Sequence, residues 1–467
     1  MVRFSTGTTI IGNPDVIEIP LANIDFWYCD NVLVERAARN PRMETSNATP
    51  PIERPASKEW HPMFFSAWAM VAAFGTYFCM YGFRKPFTSA TFDGLTSFGL
   101  AYKSLAVTSQ VLGYTLSKFI GIKVIPELPP ARRASTILWL IAGGELALVV
   151  FALLPPPYNL AALFLNGLAL GMVFGLVLGF LEGRRVTEAL IAGLCASFIL
   201  ASGVSKSVGR WLISLDVPEV WMPCVAGALF ILPLLGFVWM LRRIPDASEA
   251  DRSERAERST MSRTERSQYF RKFAPGICLL IMVYVMLTVI RGIRDDFGVE
   301  IWQALGHTGK PGVFTSSETW VMFGVLAITG STISMRDNRK AFFVSMVASG
   351  AGLLLILFIC IAVLKGGLDA YWFMVWLGLG LYVPYVMFHT TVFERLVALL
   401  KDKATIGYLM YLADAFGYLG YVMLMMSRGS IAARADLLDF FLQLTFTLTL
   451  VAIVLLVTAT CYFNRRH

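Results

Sequence analysis

Residues 242–272 read RRIPDASEADRSERAERSTMSRTERSQYFRK, and the fold depends on what stands on either side of them. The segment is dense in both charge signs and in Ser and offers no apolar face to bury, which predicts a solvated linker. Outward from it the composition inverts. The 467-residue chain is 56% hydrophobic, 13% aromatic and only 15% charged, far from the make-up of a soluble globular protein. Its apolar residues fall into twelve blocks, each close to the roughly 20 residues an α-helix needs to cross a bilayer. Before the linker the expected spans are 63–84, 102–122, 136–154, 158–181, 189–212 and 221–241; after it they are 273–291, 318–334, 341–364, 371–393, 405–427 and 438–463. Transmembrane strands would alternate apolar and polar residues, and these blocks do not.

The net charge of +8 follows the membrane. Lys and Arg collect before the first span and after the second (Lys123, Arg132, Arg133), fourth (Arg184, Arg185), sixth (Arg242 to Lys272), eighth (Arg336, Arg339, Lys340) and tenth (Arg395, Lys401, Lys403), and again at the end (Arg465, Arg466). All these segments lie on one side, so the positive-inside rule makes both termini cytoplasmic. A lipid bilayer is therefore the expected partner, and nucleic acid is not. Residues 1–62 are mostly polar, too long a lead for a signal peptide, and read as a cytoplasmic segment that is not cleaved. The seven Cys are scattered without a CxxC pair, so neither a metal site nor a cofactor is expected.

Six spans on each side of a long linker is similar to the major facilitator layout, an all-α membrane fold of twelve helices in two pseudo-symmetric halves. The expected division is 1–62 as the polar segment, 63–241 as one half, 242–272 as the linker and 273–467 as the other half. Equivalent helices should then carry equivalent chemistry, and spans one and seven do. Span one ends in YGFRKPF (81–87) and span seven, YVMLTVIRGIRDDF (284–297), ends in Arg291 and Arg294. An Arg near a helix centre costs about 2.5 to 3.5 kcal/mol, so such cations mark pathways or paired sites. A competing reading is that Pro86 ends the helix early and Arg84 snorkels to the surface. The recurrence on span seven favours a site between the halves. Guanidinium forks suit phosphate or carboxylate oxygens, and Tyr77 and Tyr81, four apart on one helical face beside Arg84, add hydroxyl donors or packing.

These residues resemble the organophosphate:inorganic phosphate antiporters of the major facilitator superfamily. The likeness rests on Tyr77, Tyr81, Arg84, Lys85 and Phe87 of the first helix, and on Gly113, Tyr114, Ser117, Lys118 and Phe119 in GYTLSKFIGI of the second. Tyr382, Pro384 and His389 of the tenth and Phe416 to Gly420 of the eleventh extend it. The resemblance implies that Arg84 and a span-seven Arg, Arg291 in preference to Arg294, grip the substrate phosphate from the two halves. Lys118 would add charge nearby, while His389 and Glu394 would line the cavity or pair with its cations.

The sequence departs from that family in places. The loop GIKVIPELPPARR (121–133) keeps Arg132 and Arg133 but lacks the family's Asp-Arg latch, which leaves Glu127 as a substitute. Glu182 and Gly183 stand where a His is expected. Asp414, Glu145 and Lys206 are mid-span charges outside the pattern. Asp414 reads either as a proton carrier or as the salt-bridge partner of an Arg or Lys, Lys206 as a coupling or gating residue, and Glu145 as a packed or outward-paired group.

With no HExxH, GxSxG or Walker loop, an enzyme is not expected. The sequence predicts a monomeric secondary transporter of the bacterial inner membrane. It would move a small organic anion, a phosphate ester foremost, by alternating access, in exchange for phosphate or coupled to protons. The alternative is a transporter-like sensor of phosphorylated metabolites without net transport.

Overall fold

Long apolar runs leave the backbone no polar partner except itself, and helices are how this chain satisfies it. The computed structural model describes residues 62–182, 187–245, 263–307, 310–400, 406–427 and 437–466. The first set of helices is α1 (Pro62–Gly82), α2 (Tyr102–Glu127), α3 (Pro130–Leu153), α4 (Leu160–Leu170), α5 (Val173–Leu181), α6 (Thr187–Ser214) and α7 (Met222–Arg242). The second is α8 (Arg263–Asp296), the short α9 (Gly298–Ala304), α10 (Gly312–Ile333), α11 (Asn338–Leu364), α12 (Ala370–Met387), α13 (Phe393–Leu400), α14 (Ile406–Ser427) and α15 (Leu437–Arg466). One two-stranded hairpin, Thr96–Ser97 with Leu100–Ala101, lies between α1 and α2.

Among the described residues ten helical stretches are long and apolar enough to cross a membrane. The two expected spans that fall short of that mark, 102–122 and 318–334, still form helices, α2 and α10. Both are polar for a shared reason: they pack across the two sets, α2 against α14 and α10 against α6. The remaining neighbours repeat. In the first set α1 packs on α6 and α7, α2 on α4, and α3 on α4 and α7. In the second α8 packs on α14 and α15, α10 on α12, and α11 on α12 and α15. Burial follows the same repeat. Only 33, 39, 33 and 33% of the apolar windows of α3, α7, α11 and α15 are buried, against 78, 67 and 78% in α6, α8 and α12. The four former helices therefore face lipid, with Trp139, Leu146 and Leu153 at heptad spacing on α3.

Three details amend the sequence reading. The span expected at 158–181 stands as one candidate span, Leu160–Leu181, with a local interruption at Gly171 and Met172 between α4 and α5, where a Cβ on Gly171 would meet Ser117 and the carbonyl of Tyr114. Helix α8 starts at Arg263, so the last ten residues of the expected linker are helical; RTERSQYFRK has no Gly or Pro to stop a helix already nucleated in the span. The expected span 371–393 continues through a π turn, Phe388–Val392, into α13. The polar segment up to residue 61, linker residues 246–262 and residues 183–186 lie outside the described residues.

Candidate functional site

The first span stops at Gly82. Phe83 donates its N–H to Met80, and Arg84 and Lys85 both donate to Tyr81, closing the helix tightly before the 3₁₀ turn Pro86–Ser89. Pro86 brings no N–H to continue the ladder. Two neighbouring cations thus leave a tight turn into two different layers. Arg84 is only 3% exposed, which removes the reading in which it snorkels to the surface.

The guanidinium of Arg84 stacks on the Tyr114 ring at 3.7 Å, with Tyr418 at 5.8 Å and Tyr81 at 5.9 Å. Its turn is held from behind. Gln110 donates to the Arg84 carbonyl (2.9 Å) and to Asn166 Oδ1 (2.8 Å), and Asn166 donates to the Phe83 carbonyl (3.1 Å). From α8, Arg291 donates to the Tyr418 hydroxyl (2.9 Å) and stands 4.5 Å from the Tyr385 ring. The Nε atoms of Arg84 and Arg291 are buried without an acceptor. The ion pairs found among the described residues include neither of them.

Tyr77, Tyr81, Tyr114, Lys118, Phe174 and Phe198 form one wall of a cavity, and Arg291, Tyr385, His389, Asp414 and Tyr418 form the other. The space open to the centre of a water molecule is about 10 Å³, room for about one water, so the site is shut around itself. Arg84 stands one ring behind the wall, screened by Tyr114. Toward the end of the bundle that holds residue 62, Asp414 accepts from Lys118 (2.7 Å) and Tyr284 (2.5 Å), and His389 Nε2 lies 3.8 Å away. The π turn, four residues beyond Pro384, places His389 Nδ1 3.0 Å from the Tyr385 carbonyl; such turns gather at functional positions.

At the other end lies a second layer. Lys85 pairs with Asp295 and Asp296 (both 2.5 Å), Lys206 with Asp295 (2.5 Å), Lys103 with Glu300, and Arg294 with Glu318 (2.8 Å). Ser202 donates to Asp295, and Tyr421 to Asp296 (3.0 Å). Four cations meet four carboxylates there, and the layer is charge-balanced. The cavity layer is not: Arg84, Arg291 and Lys118 face one carboxylate, Asp414. Among these described residues the cavity layer thus holds two more cations than carboxylates.

Of the residues singled out in the sequence, Tyr77, Tyr81, Tyr114, Lys118, Arg291, His389 and Asp414 come together in the cavity. Lys85, Arg294 and Lys206 belong to the balanced layer, and Tyr382 stands between the two, 5.8 Å from the Arg294 guanidinium. Glu394 is buried at the start of α13 outside the cavity wall. Glu145 is half-buried against Gly227 of α7, its Oε2 without a hydrogen-bond partner, in keeping with the packed one of the two expected readings. Sequence reasoning passed over Tyr284 and Tyr385, met Tyr418 only as part of the Phe416–Gly420 motif, and passed over Asp295, Asp296, Glu300, Glu318 and Lys103. Two carboxylates directly after Arg294, in an apolar span, were the signal for the ion-pair layer. Among the described residues no three His, Cys, Asp or Glu cluster to hold a metal.

A family model described as a family of unknown function, DUF5690, matches residues 86–466, and the chain belongs to that family. No curated protein matches the sequence. Solved structures do. A D-xylose–proton symporter aligns at 13% identity and a TM-score of 0.58 over 84% of this chain and 97% of its own. The nucleoside transporter NupG aligns at 13% and 0.54 over 85% and 100%. A bacterial homologue of the human lysosomal transporter Spinster, inward-facing and unoccupied, aligns at 14% and 0.54 over 87% and 97%. The chain therefore has the major facilitator fold and is an integral membrane protein.

Proposed function

We propose that this chain is a secondary transporter that moves a small organic anion by alternating access, with a phosphate ester as the foremost substrate class. One observation carries the reading: Arg84 and Arg291, from opposite halves of the fold, are buried in a shared layer that holds two more cations than carboxylates. An uncompensated cation in the membrane interior is costly, and a dianion between the halves offsets both. Arginine forks fit the terminal oxygens of a phosphate bidentately, which a point charge cannot do. Entry requires the cavity to open and the Tyr114 ring to turn away from Arg84. Residues 62–242 and 263–466 then rock about the site, with both termini on the cytoplasmic side as the cation distribution suggests.

Thermal stabilisation of the purified protein by inorganic phosphate, phosphate esters, sulfate and carboxylates tests the site, because a ligand that binds only the folded state raises the melting temperature. Phosphates are expected to stabilise the wild type and not Arg84→Gln. Absence of a response to any anion would overturn the reading. Counterflow of labelled phosphate in liposomes then separates a carrier from a sensor.

A further inference from the structure

Of the three mid-span charges that the family resemblance leaves unexplained, Asp414 is the one in the cavity wall. It sits mid-helix in YLADAFGYLG, on α14, and its closest cationic partner, Lys118, sits on α2 in the opposite half at 2.7 Å. Both line the cavity together with Arg291. Asp414 is not dependent on Lys118 alone. Within its own half it accepts from Tyr284 and has His389 Nε2 at 3.8 Å, so loss of the lysine leaves the carboxylate hydrogen-bonded. Lys118 Nζ in turn stands near the Phe174 and Tyr114 rings of its own half, at 5.1 and 5.4 Å, and its ion pair among the described residues is the one with Asp414. The pair is built asymmetrically: one partner is secured locally, and the other is left able to move.

We propose, on the basis of the anion site above, that Asp414 is a built-in counter-ion which the incoming anion displaces from Lys118. In the empty site the carboxylate occupies the lysine that the substrate needs, and in doing so it ties α2 to α14. An anion gripped by Arg291 and Arg84 competes for Lys118. When it wins, Asp414 falls back on Tyr284 and His389, and the tie between the halves is released. Occupancy of the site is thereby transmitted to the interface by one exchange of ion-pair partners. The competition lowers apparent affinity in the same way as any equilibrium that keeps part of the protein binding-incompetent. Asp414 is accordingly a residue that sets how strongly charged a substrate must be.

The test is phosphate binding by the full-length protein in detergent, read by calorimetry or by thermal-shift titration. Asp414→Asn is expected to tighten inorganic phosphate binding about tenfold, the scale of one competing ion pair. Tyr284→Phe, a conservative change, is expected to weaken it severalfold, because Asp414 then holds Lys118 harder. Unchanged or weaker binding in Asp414→Asn, with the protein still folded, overturns the proposal. Should Asp414→Asn not fold, unchanged or tighter binding in Tyr284→Phe overturns it instead. Loss of wild-type phosphate binding altogether would be a failure of the anion site itself, whereas wild-type binding abolished by Arg84→Gln with no gain in Asp414→Asn would be a failure of the displacement alone.

Discussion

The guanidinium groups of Arg84 and Arg291 stand 5.8 and 5.7 Å from the centre of one ring, that of Tyr418. One residue comes from the turn after α1 and the other from α8, so a single aromatic side chain on α14 is shared by two cations of opposite halves. The ring attracts both cations, and its hydroxyl accepts from Arg291 at 2.9 Å.

Arg291 and Arg294 lie one helical turn apart and should behave in opposite ways. Arg291→Gln is expected to lower phosphate affinity at least tenfold with little loss of stability, since it breaks no ion pair. Arg294→Gln leaves Glu318 buried without its cation, a change that costs about 3 to 5 kcal/mol for comparable pairs. Melting curves with and without phosphate separate the two, and the expectation fails if the effects are reversed.

Arg84→Lys should not rescue the loss in Arg84→Gln. The planar fork both stacks on Tyr114 at 3.7 Å and presents parallel donors, and an ammonium does neither as well. Phosphate titration of both variants decides it; equal affinity of Arg84→Lys and wild type would show that charge alone matters.

The two ends of the bundle are tied by different pairs. Lys85 joins the halves through Asp295 and Asp296 at one end, and Arg395 pairs with Glu188 at 2.8 Å at the other. Lys85→Gln is expected to raise the rate at which a water-soluble thiol reagent labels a Cys placed at the buried Ser89. Glu188→Gln should leave that rate unchanged or lower it. Equal acceleration in both would mean that neither pair is specific to its end.

Gly113 is a packing requirement. A Cβ there would run into the backbone carbonyl of Phe164 on α4, where nothing can yield cheaply. Gly113→Ala is expected to lower the melting temperature by several degrees, while Gly236→Ala, with open space around it, should be neutral or stabilising through helix propensity.

Much of this was legible in the sequence, for physical reasons. Spans announce themselves by length and hydropathy, and Arg84, Lys118 and Asp414 stand out because a charge inside an apolar run has no inconspicuous explanation. The repeat between Arg84 and Arg291 was readable since each stands at the end of its expected apolar span, at like distances from that span's start. Tyr385 and Tyr418 were not readable as site residues: in an apolar helix they carry the same signal as packing residues, and only the folded arrangement shows that their rings stand by the arginines. Nor could spacing separate the layers. Lys85 follows Arg84 directly, yet the tight turn sends it to Asp295 and Asp296, a partner choice more than two hundred residues away in the chain.

The unequal charge of the two layers has an electrical consequence. A balanced layer feels no net force in a transmembrane field, but an empty cavity layer with two surplus positive charges does, at about 2.3 kcal/mol per charge for each 100 mV traversed. Return of the unloaded carrier would be pulled in one direction and resisted in the other, whereas the carrier loaded with a dianion would turn without regard to voltage. On the proposed cycle, the surplus that draws the anion would also make membrane potential a rectifier of the empty step.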